Sequence, residues 1–459
     1  MDDEKMIKKL ITNGMDCARF NFSHGTHAEQ QERMERVRKV SRELGVPVAF
    51  LLDTKGPEIR LADFEGGSAV LKNGQTFTLD ADKEMPGDET RAGLTYDKLA
   101  KYVVEGTRIL IDDGKIALKV TEAKGTKVVC TVINGGKVSN HKSINIPNMS
   151  IPMPYISPVD KEDILFGIQQ GVDFIAASFV RSADDVKKLR KFLKDNGGES
   201  IQIISKIENG EGVKNLAEII EQSDGIMVAR GDLGVEIPFK KIPAIQKVMI
   251  NQCNEAGKIV VTATQMLESM TQNPRPTRAE VSDVANAIYD GTTAIMLSGE
   301  SAAGAYPAEA VKTMAEIAES TEESIDYSKY AARDRIKAER SVVNAVCASA
   351  YSASEFLKAD AIVVVTKSGR TAKILSDFKP TCPVVAAAVE EGGVRQLKLA
   401  WGVNPVQARE IDTPEKLFNY AVRKAKESGF VKRGSTIIVI TSSNIGDNTV
   451  NDVMRICKI

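Results

Sequence analysis

Histidine is scarce in this chain of 459 residues, which contains only three. Acid–base chemistry centred on histidine, the side chain that titrates near neutral pH, is therefore not expected. The six cysteines are scattered and show no CxxC spacing, so the sequence predicts neither a zinc site nor a disulfide framework. Reduced thiols are typical of a cytoplasmic protein, and we expect that location.

An excess of basic charge is also absent, because 61 lysine and arginine residues are balanced by 62 acidic ones. Binding to a nucleic acid is therefore not predicted. No apolar run approaches the ~20 residues of a membrane span, and no secretory segment precedes the first predicted helix, so no membrane partner is expected. The remaining composition, with 42% apolar and 27% charged residues, is ordinary for a soluble globular protein of two to four domains.

Apolar periodicity predicts alternating strands and helices in residues 1–56 and 155–328. A segment with a different pattern is inserted after the second strand. We predict seven strands for the alternating part, over residues 17–22, 48–54, 174–179, 201–207, 225–230, 258–264 and 294–298. Parallel strands in such a series predict an α/β fold, a (β/α)8 TIM barrel, which needs eight strands. Because the helix over residues 2–13 has no strand before it, we expect the missing strand upstream.

A different pattern occupies residues 57–154, where short alternating runs are separated by Gly-Gly, Asn-Gly and Asp-Gly pairs. Such pairs predict an inserted all-β lid domain, a small barrel. The last part predicts an open α/β sheet with a helix over 341–357 and an edge strand over 451–459. Its other strands are 361–366, 383–389, 403–407 and 436–441. The predicted domains are 1–56 with 155–328 (barrel), 57–154 (lid) and 329–459 (α/β domain).

Charged residues follow two neighbouring strands of the predicted barrel. Lys206 and Glu208 close one strand, and Arg230 and Asp232 close the next. In parallel α/β architectures the carboxyl ends of the strands face the ligand. A lysine between two carboxylates that share a divalent cation suits phosphoryl transfer. A salt-bridged barrel rim is the alternative, but the same arrangement on two successive strands favours a site.

Polar side chains alternate along an extended segment that leads from the first strand into the carboxyl-terminal rim, at Arg19, Asn21 and Ser23, which predicts that they point to one side. Together with Asp53 and Thr54 they form an oxygen-rich set with a single carboxylate. Such a set suits a large monovalent cation better than magnesium. The alternative is that they are surface polar residues of an edge strand.

The segment TKSGRT ends a strand of the last domain and opens a helix. Hydroxyls, a lysine and an arginine at a helix N-terminus are suited to hold a phosphate, and a routine βα turn is the alternative. The residues are Thr366, Lys367, Ser368, Gly369, Arg370 and Thr371.

Six motifs together resemble those of the pyruvate kinase family. They are ARFNFSHG (18–25), DTKGPEIR (53–60), SKIEN (205–209), ARGDLGVE (229–236), TATQMLESM (262–270) and MLSGESAAGAYP (296–307). The resemblance implies an allosterically regulated glycolytic enzyme, usually a homotetramer. Such an enzyme transfers the phosphoryl group of phosphoenolpyruvate to ADP and yields pyruvate and ATP. The resemblance also implies a chain that is N-terminally incomplete relative to the family.

The resemblance implies roles for single residues. Glu208 and Asp232 are expected to hold Mg²⁺ or Mn²⁺, and Lys206 to stabilise the transferring phosphoryl group. Thr264 and Ser298 match a hydroxyl network that protonates the enolate, although Thr264 is equally well placed to be a helix N-cap. The residues expected to bind the substrate are Arg19, Lys206, Arg230, Gly231, Asp232 and Thr264.

A K⁺ site is implied at Asn21, Ser23, Asp53 and the carbonyl of Thr54. Glu58 belongs to the same prediction, because family members that need potassium carry glutamate there and independent ones carry lysine. The alternative is that Glu58 is an exposed hinge residue.

The lid and the last domain also match family features. The residues expected to bind the nucleotide, ADP or ATP, are Asn21, Phe22, Ser23, His24, Arg60 and Lys142. The sequence departs from the family at Asn148-Met149, near Lys142. TKSGRT matches a loop for a sugar-phosphate effector, but the facing loop SSNIGDNT (442–449) departs from the usual Gly-rich pattern, so the identity of the effector stays open.

Two other classes of protein share part of this pattern. A barrel lyase acting on pyruvate-like acids would also hold a metal at Glu208 and Asp232, but it needs neither Arg19, Arg60 nor a lid. A catalytically impaired, truncated homologue that binds phosphorylated metabolites could use the last domain alone.

Overall fold

The computed structural model describes residues 3–147, 149, 151–327, 341–411, 413–444 and 450–459. Four features of the sequence lie outside these residues: the start of the first helix at Asp2, Asn148, the boundary between residues 328 and 329, and residues 445–449 of the SSNIGDNT loop. All six cysteines are unpaired. No helix within the described ranges has the length and apolar character that crossing a membrane requires.

The first two strands alternate with helices, as the periodicity predicts. The elements are α1 (Glu4–Thr12), β1 (Cys17–Asn21), α2 (His27–Leu44) and β2 (Ala49–Asp53). A capping box between Thr26 and Glu29 starts α2, and Gly45, in the left-handed region with φ 64°, ends it. Every residue of β2 is buried, as in strands covered on both faces of a parallel sheet.

The lid consists of short, mostly antiparallel strands, as predicted. They are β3 (Ile59–Arg60), β4 (Ser68–Leu71), β5 (Thr76–Asp80), β6 (Arg91–Gly93), β7 (Arg108–Ile111), β8 (Ile116–Lys124), β9 (Lys127–Asn134), β10 (Gly136–Ser139) and β11 (Ser143–Asn145). Seven of them form one sheet in the order β3-β11-β7-β8-β9-β5-β6, and β4 pairs with β10. Their alternating apolar side chains form a separate core that includes Phe77, Leu79 and Ile109.

The chain then returns to the barrel. The elements are α3 (Pro158–Gln169), β12 (Phe174–Ala177), α4 (Ala183–Asp195), β13 (Gln202–Ile207), α5 (Gly210–Lys214), α6 (Leu216–Gln222), β14 (Gly225–Ala229), α7 (Arg230–Glu236), α8 (Ile242–Ala256), β15 (Ile259–Ala263), α9 (Arg278–Asp290), β16 (Ala294–Ile295), α10 (Gly299–Ala302) and α11 (Pro307–Glu323). Five short 3-10 turns lie at Glu65–Gly67, Leu99–Lys101, Phe239–Lys241, Glu268–Thr271 and Leu397–Leu399.

The seven predicted barrel strands are confirmed, in one curled parallel sheet of order β1-β2-β12-β13-β14-β15-β16. Within the described residues, β1 and β16 each pair with one neighbour. A cavity of about 430 Å³, lined by Cys17, Met296 and Met314 among others, lies between these two edges. The fold class is therefore confirmed as a TIM-type α/β barrel with an inserted β lid and a C-terminal α/β domain. The exact domain limits stay a prediction.

The C-terminal domain is an open sheet with helices on both faces. Its elements are α12 (Val342–Leu357), β17 (Ala361–Thr366), α13 (Arg370–Asp377), β18 (Val384–Ala388), α14 (Glu391–Gln396), β19 (Val403–Gln407), α15 (Pro414–Glu427), β20 (Thr436–Thr441) and β21 (Val453–Lys458). The strand order is β19-β18-β17-β20-β21, and β21 is the predicted edge strand, antiparallel to β20.

Candidate active site

The charged residues of the SKIEN and ARGDLGVE motifs lie at the carboxyl end of the barrel. Lys206 is the second-last residue of β13, and Glu208 follows the strand directly. The prediction that Arg230 and Asp232 close a strand is wrong, because β14 ends at Ala229 and both residues lie in α7. The short helix still brings Asp232 back to Glu208, because the charge of Asp232 raises the pKa of Glu208 and a side-chain hydrogen bond joins the two carboxyl groups.

Lys206 is the centre of a buried polar network. Its Nζ atom lies 3.0 Å from Asp53 Oδ1, 2.9 Å from Glu208 Oε1 and 2.8 Å from Ser178 Oγ. Burial alone would lower the pKa of Lys206, but the carboxylates of Asp53 and Glu208 outweigh burial and raise it. The ammonium is therefore charged at neutral pH and fixed in position.

Glu208 is a carboxylate held in an unfavourable environment. Burial, opposed by Lys206 and reinforced by Asp232, raises the pKa of Glu208 to about 7. Its Oε2 accepts a hydrogen bond of 2.6 Å from the N–H of Phe179, whereas Oε1, beside Lys206, receives no well-aligned hydrogen bond. Burial also raises the pKa of Asp232. A buried carboxylate oxygen that faces Lys206 without a well-aligned hydrogen bond, next to a second carboxylate, fits a hard divalent cation.

The two carboxylates would not enclose such a cation by themselves. Among the described residues there is no group of three or more histidine, cysteine, aspartate or glutamate side chains that could hold a metal ion. Mg²⁺ characteristically keeps several waters and binds through one or two carboxylates together with substrate phosphates. The donor set therefore fits Mg²⁺ or Mn²⁺ shared with a phosphorylated substrate.

The raised pKa of Glu208 predicts that Mn²⁺ binding weakens in acid. A carboxyl group with a pKa of about 7 is mostly ionised at pH 8 and mostly protonated at pH 6. Since the metal needs the ionised form, the Mn²⁺ affinity of the protein should fall by about tenfold between pH 8 and pH 6. Calorimetric titration with Mn²⁺ at several pH values measures this. An affinity constant that does not change over that range would contradict the prediction.

The predicted K⁺ residues are brought together only in part. Asn21 lies directly opposite Asp53 on neighbouring strands. The expectation that Arg19, Asn21 and Ser23 alternate along one extended segment is wrong, because β1 ends at Asn21 and a turn follows. The chain turns there, and the N–H of Ser23 donates to Asn21 Oδ1 at 3.0 Å, which closes the turn locally.

Asp53 joins the first strand pair to the lysine network. Its Oδ2 accepts from Arg19 Nε at 2.6 Å, while Oδ1 faces Lys206 and the hydroxyl of Ser178. Burial would raise the pKa of Asp53, but Lys206 and Arg19 together lower it. Asp53 therefore stays ionised and supplies the single full negative charge of this set.

Thr264 lies in a backbone conformation that a β-branched residue seldom adopts. Its φ is 68°, and that of Gln265 is 53°. Because no helix starts there, the N-cap alternative for Thr264 is wrong. The Thr264 hydroxyl instead accepts from the N–H of Gly231 at 2.8 Å, so this N–H is not free for a substrate carboxylate. Ser298 lies across the barrel opening, where it lines the same cavity as Arg19.

Two of the expected ligand-binding side chains point elsewhere. The guanidinium of Arg230 donates to the carbonyl of Thr264 at 2.6 Å and pairs with Asp283 at 2.8 Å. Phe22 is buried against Phe166, with ring centres 5.8 Å apart, so its side chain packs in the core. The exposed His24 uses its carbonyl to hold Gln30, at 2.8 Å. Sequence position alone did not distinguish these directions.

The basic residues of the lid are paired with acidic neighbours. Arg60 donates through Nε to Glu58 Oε2 at 2.8 Å and through Nη1 to the carbonyl of His141 at 2.9 Å. Lys142 pairs with Asp112 at 2.8 Å. Glu58 is not the exposed hinge residue of the alternative, because its side chain is 19% exposed and burial raises its pKa against the opposing Arg60.

A cleft of about 490 Å³ separates the lid from the barrel and contains residues that the sequence analysis missed. Asn145 of the lid donates to Glu236 of α7 at 3.0 Å across this cleft. Phe179 and Ser178 follow β12 just as Glu208 follows β13. The only sequence feature that could have pointed to Ser178 is its position directly after a fully apolar strand. Such a serine is too common to identify a site.

TKSGRT connects β17 to α13, as predicted. Lys367, Ser368 and Arg370 are exposed, whereas Thr371 is buried and accepts from Asn451 Nδ2 at 2.9 Å. Gly369 has φ 89° and is the N-cap residue of α13, so no side chain at this position caps the first N–H groups of the helix. Such a helix start suits an anion.

Comparisons with known proteins agree along the whole chain. The family model "Pyruvate kinase, barrel domain" matches residues 1–311, and "Pyruvate kinase, alpha/beta domain" matches residues 344–457. A pyruvate kinase of Clostridium acetobutylicum is 48% identical over 95% of this chain and 93% of its own length. One of Clostridium perfringens is 44% identical over 100% of this chain and 97% of its own. The crystal structure of a pyruvate kinase from Cryptosporidium parvum superposes with a TM-score of 0.92 at 38% identity, covering 100% of this chain and 93% of that one.

Proposed function

This chain belongs to the pyruvate kinase family, and we propose that it transfers the phosphoryl group of phosphoenolpyruvate to ADP at the carboxyl end of its barrel. In this phosphotransferase reaction the bond from phosphorus to the enolate oxygen breaks, and a new bond forms to the terminal phosphate oxygen of ADP. The products are pyruvate and ATP. The observation that supports the proposal most directly is the ammonium of Lys206, held between Asp53 and Glu208.

A lactate-dehydrogenase-coupled assay with phosphoenolpyruvate, ADP, Mg²⁺ and K⁺ tests the proposal. We expect pyruvate to form only when ADP is present. A barrel lyase would release pyruvate without ADP, and a metabolite-binding homologue would release none. Either result from the folded protein would overturn the proposal.

The side chains around Lys206 have separate tasks. Lys206 places a fixed positive charge where the transferring phosphoryl group gathers negative charge. Arg19, oriented by Asp53, would contact the substrate phosphate. Thr264 and Ser298 supply the hydroxyls that deliver a proton to the enolate. Arg230 holds the Thr264 loop against α9, and we no longer assign it to the substrate.

Two kinds of cation complete the site. Glu208 and Asp232 would hold Mg²⁺ or Mn²⁺, which when bound neutralises charge on the phosphoryl oxygens. Asn21, Ser23, Asp53 and the Thr54 carbonyl would hold K⁺. The register that sets Asn21 opposite Asp53 supports that assignment.

Nucleotide binding requires a rearrangement of the lid. Arg60 is paired with Glu58, and Lys142 is paired with Asp112. Each basic side chain would leave its acidic partner to bind the phosphates of ADP. We assign Asn21 to His24 to the nucleotide through their backbone and polar atoms rather than through the buried ring of Phe22. The cleft between lid and barrel has the volume of a ligand pocket.

The TKSGRT loop is the proposed effector site. If the first turn of α13 binds a phosphate, Lys367→Ala together with Arg370→Ala should abolish activation by a phosphorylated sugar or nucleotide and leave the maximal rate unchanged. Rates measured at low phosphoenolpyruvate, with and without fructose 1,6-bisphosphate, glucose 6-phosphate or AMP, give the result. Activation that survives both substitutions, or its absence from the parent protein with every one of these compounds, would count against the site.

We also propose a cytoplasmic homotetramer. Large apolar side chains are exposed in two regions, with Phe239 just before α8 and Val248 within it, and with Val342 and Phe356 on α12. Two such regions per chain suit an assembly with two kinds of interface. Light scattering of the purified protein tests whether its mass in solution is that of four chains.

A further inference from the structure

The two residues that follow β12, Ser178 and Phe179, contact four of the proposed active-site groups. Ser178 is 2% exposed. Its Oγ accepts from Lys206 Nζ at 2.8 Å and lies 2.7 Å from the Thr54 carbonyl and 3.1 Å from Asp53 Oδ1. One hydroxyl therefore connects the lysine to two oxygens of the proposed K⁺ set.

Phe179 fixes the neighbouring carboxylate. Its φ is 53°, a left-handed conformation that is unfavourable for an aromatic residue. In this conformation its N–H points at Glu208 and donates to Oε2 at 2.6 Å. Glu208 Oε1 is then directed towards Lys206. Backbone strain of this kind persists only where the surrounding structure enforces it.

Contacts around Ser178 hold this segment in the strained conformation. The N–H of Ser178 donates to Thr54 Oγ1 at 3.1 Å, and the hydroxyl of Tyr155 donates to the Ser178 carbonyl at 3.1 Å. Gly56 packs so closely that an added Cβ would lie 2.9 Å from Ser178 Cβ and 3.0 Å from Ser178 O. The segment is thus held on its amide, carbonyl and side-chain sides.

We propose that Ser178 and Phe179 form a positioning segment that sets the Lys206 ammonium and the Glu208 carboxylate in their working orientation and couples both to the K⁺ set. This inference rests on the proposed function. Lys206 has three rotatable donors on a flexible stem, so two carboxylates alone leave its direction open. The Ser178 hydroxyl is the neutral third partner that selects one direction.

Ser178→Ala tests the hydroxyl. Misplacing a reacting group by about 1 Å can cost on the order of 10²-fold in rate, so we expect kcat to fall by roughly 10- to 100-fold with little change in KM for phosphoenolpyruvate. The half-saturating K⁺ concentration should rise severalfold, and the stabilisation of the thermal midpoint by K⁺ should shrink. Mn²⁺ affinity should stay within about twofold, because the bond from Phe179 to Glu208 remains.

Ser205→Ala is the matched control. Ser205 is just as buried, immediately precedes Lys206 and bonds to Ser223 Oγ at 2.6 Å instead of to the site. Its loss should leave kcat and the K⁺ dependence unchanged. Equal losses in both variants would overturn the inference, because they would indicate general destabilisation.

A crystal structure of the Ser178→Ala protein gives an outcome that does not depend on activity. We expect Lys206 Nζ to leave its position 3.0 Å from Asp53 Oδ1. An unmoved ammonium, or a kcat within twofold of the parent, would overturn the positioning role. If the parent protein transferred no phosphoryl group, the proposed function would fail, while the displacement of Lys206 would still decide this inference.

Discussion

Replacing Lys206 with methionine should lower the kcat of phosphoryl transfer by about 10²- to 10³-fold, because the variant lacks the positive charge that faces the transferring group. The side chain is nearly isosteric, so the effect would come from charge rather than from a cavity. Mn²⁺ binding should survive at pH above 8, since Glu208 and Asp232 remain, although loss of the Lys206 charge raises the pKa of Glu208 further. Steady-state kinetics and calorimetric Mn²⁺ titration of the same preparation measure the two properties separately.

Lys258→Met is the control for that substitution. Lys258 precedes β15 at the opposite end of the barrel, where its Nζ donates to the Ser223 carbonyl at 2.7 Å. Its removal also deletes a partly buried ammonium, but we expect kcat to stay near that of the parent. If Lys206→Met retained near-parental phosphoryl transfer, Lys206 would have no catalytic role.

The second large effect concerns potassium and Glu58. K⁺ should stimulate the parent protein strongly in a buffer free of sodium and potassium, and Glu58→Lys should largely remove that stimulation. Glu58 is half-buried, and the charges of Glu208 and Lys206 both act on its pKa, so it lies within electrostatic reach of the site. A lysine ammonium there would supply the positive charge that K⁺ otherwise adds.

Glu65→Lys makes the same change of charge at an exposed position of the lid and should leave the K⁺ stimulation intact. Rates with K⁺, Na⁺ or a bulky organic cation in turn complete the experiment. Full activity of the parent protein without any monovalent cation would refute the role of K⁺. Glu58→Lys also breaks the pair with Arg60, so KM for ADP is measured in the same experiment to separate that effect from the K⁺ dependence.

Strand number and domain order could be predicted because they depend on local patterns. The fully buried strands β2, β14 and β15 are short apolar runs, and the lid strands alternate between Gly-containing turns. The ends of these elements were harder to predict from the sequence. Whether Asp232 continues a strand or starts a helix depends on hydrogen bonds that the periodicity of the side chains does not encode.

The sequence by itself determined the family, the fold class and the position of Lys206 and Glu208 at the carboxyl end of a barrel strand, since a residue that ends a parallel strand lies at the ligand-facing edge whatever surrounds it. Only the tertiary structure decided which partner each charge takes. Arg230 turns to Asp283, Arg60 to Glu58, and Lys206 to Asp53 across 153 positions of sequence. Those choices depend on distance and burial in three dimensions, because desolvation and neighbouring charges set both the pKa and the direction of a side chain. The role of Ser178 became visible for the same reason, since its neighbours Thr54 and Lys206 come from separate strands of the barrel.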